Sequence, residues 1–327
     1  MSESKPTSRR NFLRGSLAAA GALGAMAGAH GRAAAAAPAK PAAEGAMPCG
    51  QIGKAKISRL MVGGNLISGC MHSRDLLYVN QLFRAYANDE KILETLKLAE
   101  ENGVNTVFET GAQYVDRYNR ECGGHMQFIP HIEVGVDQKE GDLEDHIQRQ
   151  VDSGAVALYV WGVAADALVK GGHIDRLARA VDLAKAHSLP VGVGGHSLQV
   201  PMACEKHKVP CDFYVKTFHT DDYPSATPKE LRKEWMWMTG GKGWYDNMWC
   251  INPEETAEFM KSVAKPWIAF KVLAAGGIPP AKGFAHAFNH GADFIAVGMF
   301  DFQIKEDADL ARKAIAAAQK RPRPWRA

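Results

Sequence analysis

The segment 89–110, DEKILETLKLAEENGVNTVFET, decides the fold. Its first thirteen residues, Asp89 to Glu101, put Ile92, Leu93, Leu96 and Ala99 on one side at helical spacing. Gly103 stops that helix, and Asn105 to Phe108 is then apolar and β-branched, as a buried strand should be. The strand runs directly into Glu109-Thr110-Gly111. Helix, glycine stop, short apolar strand and a polar strand end together form one αβ unit of a parallel sheet.

The same unit recurs on both sides. Ile57 to Val62 reads as the first strand, ending at Gly63-Gly64-Asn65, and Phe128 to Val134 as the third, with a helix from Leu143 to Ser153. Ala155 to Val160 is the fourth, ending at Trp161, and Pro190 to Val193 the fifth, ending at Gly194-Gly195-His196 after a helix over His173 to His187. Asp212 to Thr217, Pro266 to Val272 and Asp293 to Val297 complete the series. Eight units in about 285 residues predict a (β/α)₈ TIM barrel over residues 46–327, with a doubly wound sheet as the alternative.

Residues 1–45 do not belong to this pattern. Ser8-Arg9-Arg10-Asn11-Phe12-Leu13-Arg14 precedes a small, uncharged apolar run from Gly15 to Ala29 and an Ala/Pro-rich linker. This is the layout of an export signal and resembles a twin-arginine (Tat) leader, with cleavage expected within Ala33 to Ala37. It predicts a periplasmic or secreted protein whose first partner is the Tat machinery. The run is too short and too rich in alanine and glycine for a good membrane span. The whole chain of 327 residues carries a formal net charge of +3, and the leader's arginines account for most of it. Neither a nucleic-acid surface nor a membrane patch is expected. Six cysteines lack any CxxC spacing, which argues against a zinc ribbon or iron–sulfur cluster. Cys204 and Cys211 are close enough in sequence for a disulfide, with buried thiols the simpler reading.

Several stretches resemble the aldo/keto reductase superfamily: Gly53 to Gly64, Gly103 to Thr110 followed by Tyr114, Val191 to Ser197, Phe270 to Leu273, and Ile295 to Met299. The resemblance implies a barrel, an NADP cofactor, and an Asp-Tyr-Lys-His tetrad with the tyrosine as proton donor. Here Glu109 stands at the Asp position and Tyr114 keeps the spacing. The strand through His131 and Glu133 offers no lysine, and Trp161 stands where the histidine would be. The tetrad is incomplete, so hydride transfer is the second reading. The first is general acid/base chemistry, with or without a divalent metal, on a sugar-like or carbonyl substrate, of lyase, isomerase or hydrolase type. A barrel that only binds a ligand is the third.

Barrel chemistry sits at strand C-termini. Those positions hold Asn65, Glu109, Glu133, His196, Lys216, His219, Lys271 and Asp301. Glu109, Tyr114, Glu133, Lys216 and Lys271 are the catalytic candidates, the carboxylates and lysines alternatively forming structural ion pairs. A lysine enclosed in a barrel is also a base or Schiff-base nucleophile. His196 and His219 with one carboxylate are a ligand set suited to a divalent metal, or each makes hydrogen bonds of its own, to substrate hydroxyls for instance. Asn65, Trp161, Trp244 and Trp249 are expected to contact substrate. The last two belong to an aromatic-rich insertion at 220–253, which also contains Tyr223, Trp235, Trp237 and Tyr245; its aromatics either stack on a sugar ring as a lid or, with Leu231 to Met238 as a helix, pack onto the barrel. Gly276-Gly277 and Gly298 are in place for a phosphate group, or for plain tight turns. The remaining histidines, His72 among them, read as loop and helix-surface residues.

Overall fold

The computed structural model describes residues 46–73, 76–233 and 248–327. The leader, and Trp235, Trp237, Trp244 and Tyr245 of the insertion, lie outside the described residues. A hairpin of β1 (Cys49–Ile52) and β2 (Ala55–Ser58) comes first. Eight strands follow: β3 (Leu60–Gly63), β4 (Thr106–Glu109), β5 (Gln127–Ile132), β6 (Leu158–Val160), β7 (Val191–Gly195), β8 (Phe213–Thr217), β9 (Trp267–Phe270) and β10 (Phe294–Val297). All pair in parallel and close in the order β10-β3-β4-β5-β6-β7-β8-β9. The protein is an α/β TIM barrel.

The helices are α1 (Gly64–Ile67), α2 (Leu77–Tyr86), α3 (Asp89–Glu101), α4 (Ala112–Cys122), α5 (Glu140–Asp152), α6 (Gly162–Lys170), α7 (Ile174–Lys185), α8 (Gln199–Lys206), α9 (Pro253–Ser262), α10 (Pro280–Asn289) and α11 (Ile304–Ala317). Helix α3 shows how local sequence sets these bounds. The Asn88 side chain accepts from the Lys91 amide, and Asp89 and Glu90 in the first turn suit the positive end of the helix. Ile92, Leu96 and Ala99 are buried. None of the helices among the described residues is long and apolar enough to cross a membrane.

Two apolar layers result. Met61, Phe108, Tyr159, Phe213, Ile268 and Phe294 fill the barrel interior, and Ile52 and Ile57 of the hairpin join them. Val62, Val107, Val160, Val193 and Ile295 face outward onto the helices. Four differences from the strand bounds read in the sequence bear on the site, the rest being shifts of one or two residues. Ile57 and Ser58 pair with the hairpin, so the first barrel strand begins at Leu60. The third strand stops at Ile132 and leaves Glu133 beyond it. Ala155 makes only an isolated bridge to Phe128, and the fourth strand begins at Leu158. The seventh stops at Phe270, because Lys271 takes φ 56° and leaves the extended region.

Opposite the strand C-termini, Asp293 is fully buried, with Arg321 at 3.0 Å and Arg323 at 2.7 Å. Trp325 lies between the Arg59 and Arg321 guanidinium groups, at 3.9 and 3.4 Å from its ring centroid. This end is therefore a built structural closure, which leaves the other end for chemistry.

Candidate active site

Strand β6 delivers Tyr159 into the interior and Trp161 to its rim, where Trp161 caps α6. Gly194 lets β7 approach closely: a Cβ there would come 2.8 Å from the Gly162 backbone nitrogen at the start of α6. That contact brings Asp166 of α6 against the end of β7. The Asp166 carboxylate accepts from the His196 amide (3.0 and 3.1 Å), from the Ser197 amide (2.9 Å), and meets His196 Nδ1 at 2.7 Å. Both side chains are less than a tenth exposed. Burial holds the imidazole below its ordinary pKa, the adjacent carboxylate opposes this, and Lys271 and Lys216 push it further down. The ring is thus neutral at pH 7, with Nδ1–H on Asp166 and Nε2 the nitrogen through which it can take a proton.

Glu109 closes β4 with φ 84°. It is 7 % exposed, and its Oε1 accepts from the Trp161 indole N–H at 3.2 Å. Its Oε2 is buried without a hydrogen-bond partner. Burial, then the Glu109 charge and the approach of the phenol to that carboxylate, hold Tyr159 well above its ordinary range, although the phenol does not reach Oε2 in hydrogen-bond geometry. His131 stacks on Trp161 at 5.1 Å and bonds the Glu109 carbonyl at 3.1 Å. Glu109, Tyr159, Trp161, His196, Thr217 and Phe270 border one small cavity.

A larger cavity of about 200 Å³ adjoins it across Phe270, under the ends of β3, β9 and β10. Asn65, His72, Trp249, Lys271 and Gln303 line it, as do the turns at Gly276 and Gly298. The Lys271 ammonium is 2.7 Å from His72 Nε2 and lies over the Trp249 ring at 4.5 Å.

The structure therefore brings Glu109, His196, Lys271, Asn65, Trp161 and Trp249 to the mouth and leaves others elsewhere. Tyr114 falls in the first turn of α4, with its hydroxyl donating to Asp89 at 3.0 Å, and borders neither cavity. Glu133 is 63 % exposed beyond β5. Lys216 follows the alternation of β8 to the outer face, and its ammonium bonds the Thr217 carbonyl (2.8 Å) and hydroxyl (3.2 Å). The expected lysine–glutamate ion pairs are absent among the described residues: neither Glu109 nor Glu133 has a lysine within salt-bridge distance. His219 is fully buried, its Nδ1 on the Thr220 carbonyl and its Nε2 accepting the Trp249 and Cys250 amides, each at 3.0 Å. Both of its nitrogens hold backbone, so it does not join His196 in a metal set. Among the described residues no three metal-binding side chains converge. Asp301 accepts from Tyr86 and Lys91 (2.8 Å for the latter), tying α2 and α3 together. Cys204 and Cys211 are buried and unbridged.

The sequence reading missed Asp166, His131, His72 and Phe270. Asp166 did leave a signal, as the one acid in the apolar stretch Gly162 to Val169. His72 sits in the larger cavity rather than on the surface.

No family model and no curated protein matches the chain. Solved structures do. An aldo-keto reductase from Pseudomonas aeruginosa superposes with a TM-score of 0.52 at 14 % identity, over 82 % of this chain and 95 % of that one. A mandelate oxidase with (S)-mandelic acid gives 0.46 at 14 % identity, over 87 % and 80 %. A truncated 3-deoxy-D-arabino-heptulosonate 7-phosphate synthase from Thermotoga maritima gives 0.46 at 12 % identity, over 83 % and 93 %. The first likeness is one of fold, a closed parallel barrel with flanking helices; the chemistry has to be argued from the residues at its mouth.

Proposed function

We propose that this chain is an exported barrel enzyme that moves protons on a polyhydroxy or carbonyl-bearing small molecule. The observation carrying the reading is one cavity bordered by both the Asp166-oriented imidazole of His196 and the orphaned Glu109 Oε2. A buried carboxylate oxygen without a donor loses its hydration with nothing in return, and a ligand hydroxyl would supply that donor. A buried neutral imidazole steered by a carboxylate is suited to general base catalysis. The competing structural role, in which Asp166 merely pins the 196–197 turn, explains the backbone bonds but not the orphaned oxygen on Glu109.

Hydride transfer of the aldo/keto reductase kind has less support, since Tyr114 stands outside both cavities. Export rests on the leader motif at Ser8 to Leu13; replacing Arg9 and Arg10 by lysine is expected to leave the full-length precursor inside the cell. The catalytic reading is tested by incubating aldoses, ketoses, hydroxy acids and glycosides with wild type, Glu109→Gln and His196→Asn. Product formation is followed by ¹H NMR. Turnover of at least one class, lost by 100-fold or more in both variants with unfolding midpoints retained, is the expected result. Undiminished turnover in either variant overturns it.

A further inference from the structure

The larger cavity, of about 200 Å³, is separate from the one that His196 and Glu109 border, and Phe270 is a wall of both. Lys271, His72, Asn65 and Gln303 supply its polar edge. Phe270 packs into the barrel interior, so an extended residue 271 would point to the outer face. Lys271 instead takes φ 56°, and its ammonium turns into the cavity. There it lies 2.7 Å from His72 Nε2, 4.5 Å from the Trp249 ring centroid and 4.9 Å from that of Phe270. The ammonium donates to the imidazole nitrogen, so His72 braces the cation without neutralising it. Gln303 gives its Oε1 to the Phe300 amide at 3.0 Å, which leaves its Nε2–H groups to offer. No Asp or Glu is among the described residues that line the cavity. Leu66, Val297 and Phe300 join the two rings in making the remaining wall apolar.

We infer that this cavity is a binding site for a small organic monocarboxylate, with the carboxylate on the Lys271 ammonium and the apolar body against Leu66, Trp249 and Phe300. A cation and amide donors without an acid among them favour an anion, and a charge-assisted hydrogen bond to Lys271 is the strong contact. Apolar walls around a few polar groups favour a carbon body behind the charge. The size agrees: a cavity of about 150 Å³ accepts a benzene ring, so about 200 Å³ accepts a ring with a carboxylate. Two features select a carboxylate over a phosphate. Phosphate sites at this end of a barrel use backbone N–H groups at a helix start, whereas Pro279 and Pro280 open α10 and have no N–H. Lys271 is also the one formal cation among the described lining residues, which matches a single negative charge better than the larger charge of a phosphate. No group of the His196–Glu109 cavity takes part, so this site stands whether or not the acid/base reading does.

The test titrates benzoate into the exported protein by calorimetry, with benzyl alcohol and inorganic phosphate as the comparison ligands. Benzoate is expected to bind at one site per chain, about tenfold or more tighter than either. Lys271→Met and Lys271→Gln should each weaken it by about tenfold or more with the unfolding midpoint kept, and Lys271→Arg should weaken it less. His196→Asn should leave it within about twofold. A second readout needs no variant. Cys70 is exposed and lines the cavity, whereas Cys122 is exposed on α4 and does not. Saturating benzoate should slow alkylation of Cys70 by iodoacetamide by about fivefold or more and leave Cys122 unchanged. Benzoate affinity undiminished in Lys271→Met, or Cys70 alkylated at its original rate, overturns the site. Benzyl alcohol or phosphate binding as tightly as benzoate overturns the ligand class. Absence of benzoate binding at millimolar concentration overturns both.

Discussion

The carboxylate of Asp166 meets His196 Nδ1 at 2.7 Å while also holding the backbone amides of His196 and Ser197. One side chain thus fixes the position, the tautomer and the loop of the imidazole at once. Removing its charge separates these roles. Asp166→Asn keeps the shape and can still accept from the two amides, but it no longer stabilises an imidazolium. Turnover is expected to fall by roughly 10²–10⁴-fold, the range seen when an orienting aspartate is neutralised. The sign on pH is also set. Asp166 raises the His196 pKa against the lowering by burial and by Lys271. In Asp166→Asn the acid limb of the pH–rate profile should therefore move to lower pH, and in Lys271→Met to higher pH. A limb that stays in place in both variants would show that His196 is not the titrating base.

Glu109 offers a test in which stability and activity part company. Its φ of 84° is a conformation that costs a non-glycine residue about 1–2 kcal/mol. Its unpartnered Oε2 adds a desolvation cost of about 1–3 kcal/mol. Glu109→Gly removes both, so equilibrium denaturation should show a protein at least as stable as wild type, with turnover abolished. Glu109→Gln keeps the backbone strain and should lose activity with little gain in stability. A glycine variant clearly less stable than wild type would mean that the carboxylate is structural.

Tyr114 separates this reading from the reductase one. Its five-residue spacing from Glu109 resembles the reductase motif, yet Gly111 at φ 107° starts α4 at once and carries Tyr114 onto its first turn. There it is bonded to Asp89, and burial followed by that bond holds its phenol above its ordinary pKa. Tyr114→Phe should retain turnover within about twofold and lose no more than about 1 kcal/mol of stability with the hydrogen bond. A 100-fold loss of turnover in steady-state assays would restore the reductase assignment.

The contrast between Tyr114 and Asp166 shows what was legible beforehand. Apolar periodicity and glycine stops gave the eight strands, because those signals are local. Polar residues at strand ends were also legible: Glu109, His196, Lys271 and Trp161 were all placed at the mouth by counting along strands. Two things were not. A left-handed residue at a strand end leaves no mark on neighbouring residue types, so the turning of Glu109 and Lys271 into the mouth was invisible. Pairings between elements were equally hidden: Asp166 reaches His196 only because Gly194 lets β7 approach α6. His219 was misread for a similar reason, since its partners lie thirty residues on, at Trp249 and Cys250.

That histidine sets an acid limit. With both nitrogens on backbone and no exposure, its pKa is pushed down to about 4 by burial. A base whose folded pKa is lowered gives stability that is full above the unfolded value, near 6.5, and is lost as pH falls toward the folded value. Denaturant midpoints should therefore decline between about pH 6.5 and 4. His219→Leu should be weaker by about 2–4 kcal/mol at pH 7.5, because two buried amides lose their acceptor. It should also flatten the decline. An equally steep decline in the variant would assign the acid sensitivity to another group.

Asp307 works in the opposite direction. It is 3 % exposed in α11, its Oδ2 has no partner, and burial, helped by Glu306, pushes its pKa up to about 6. A carboxyl whose folded pKa is raised is easiest to bury when protonated, so its cost is absent below the unfolded value of 3.8, grows as pH rises, and is complete above about 6. The two pKa values, 3.8 and about 6, correspond to an upper bound of about 3 kcal/mol. Its place near the start of α11, where negative charge is favoured, returns part of this. Asp307→Asn is thus expected to gain about 1–2 kcal/mol at pH 7.5 and nothing at pH 4. Because Asp307 lines neither cavity, the gain should leave turnover unchanged. Equal stabilisation at both pH values would mean that the asparagine acts by packing or hydrogen bonding and not by removing a buried charge.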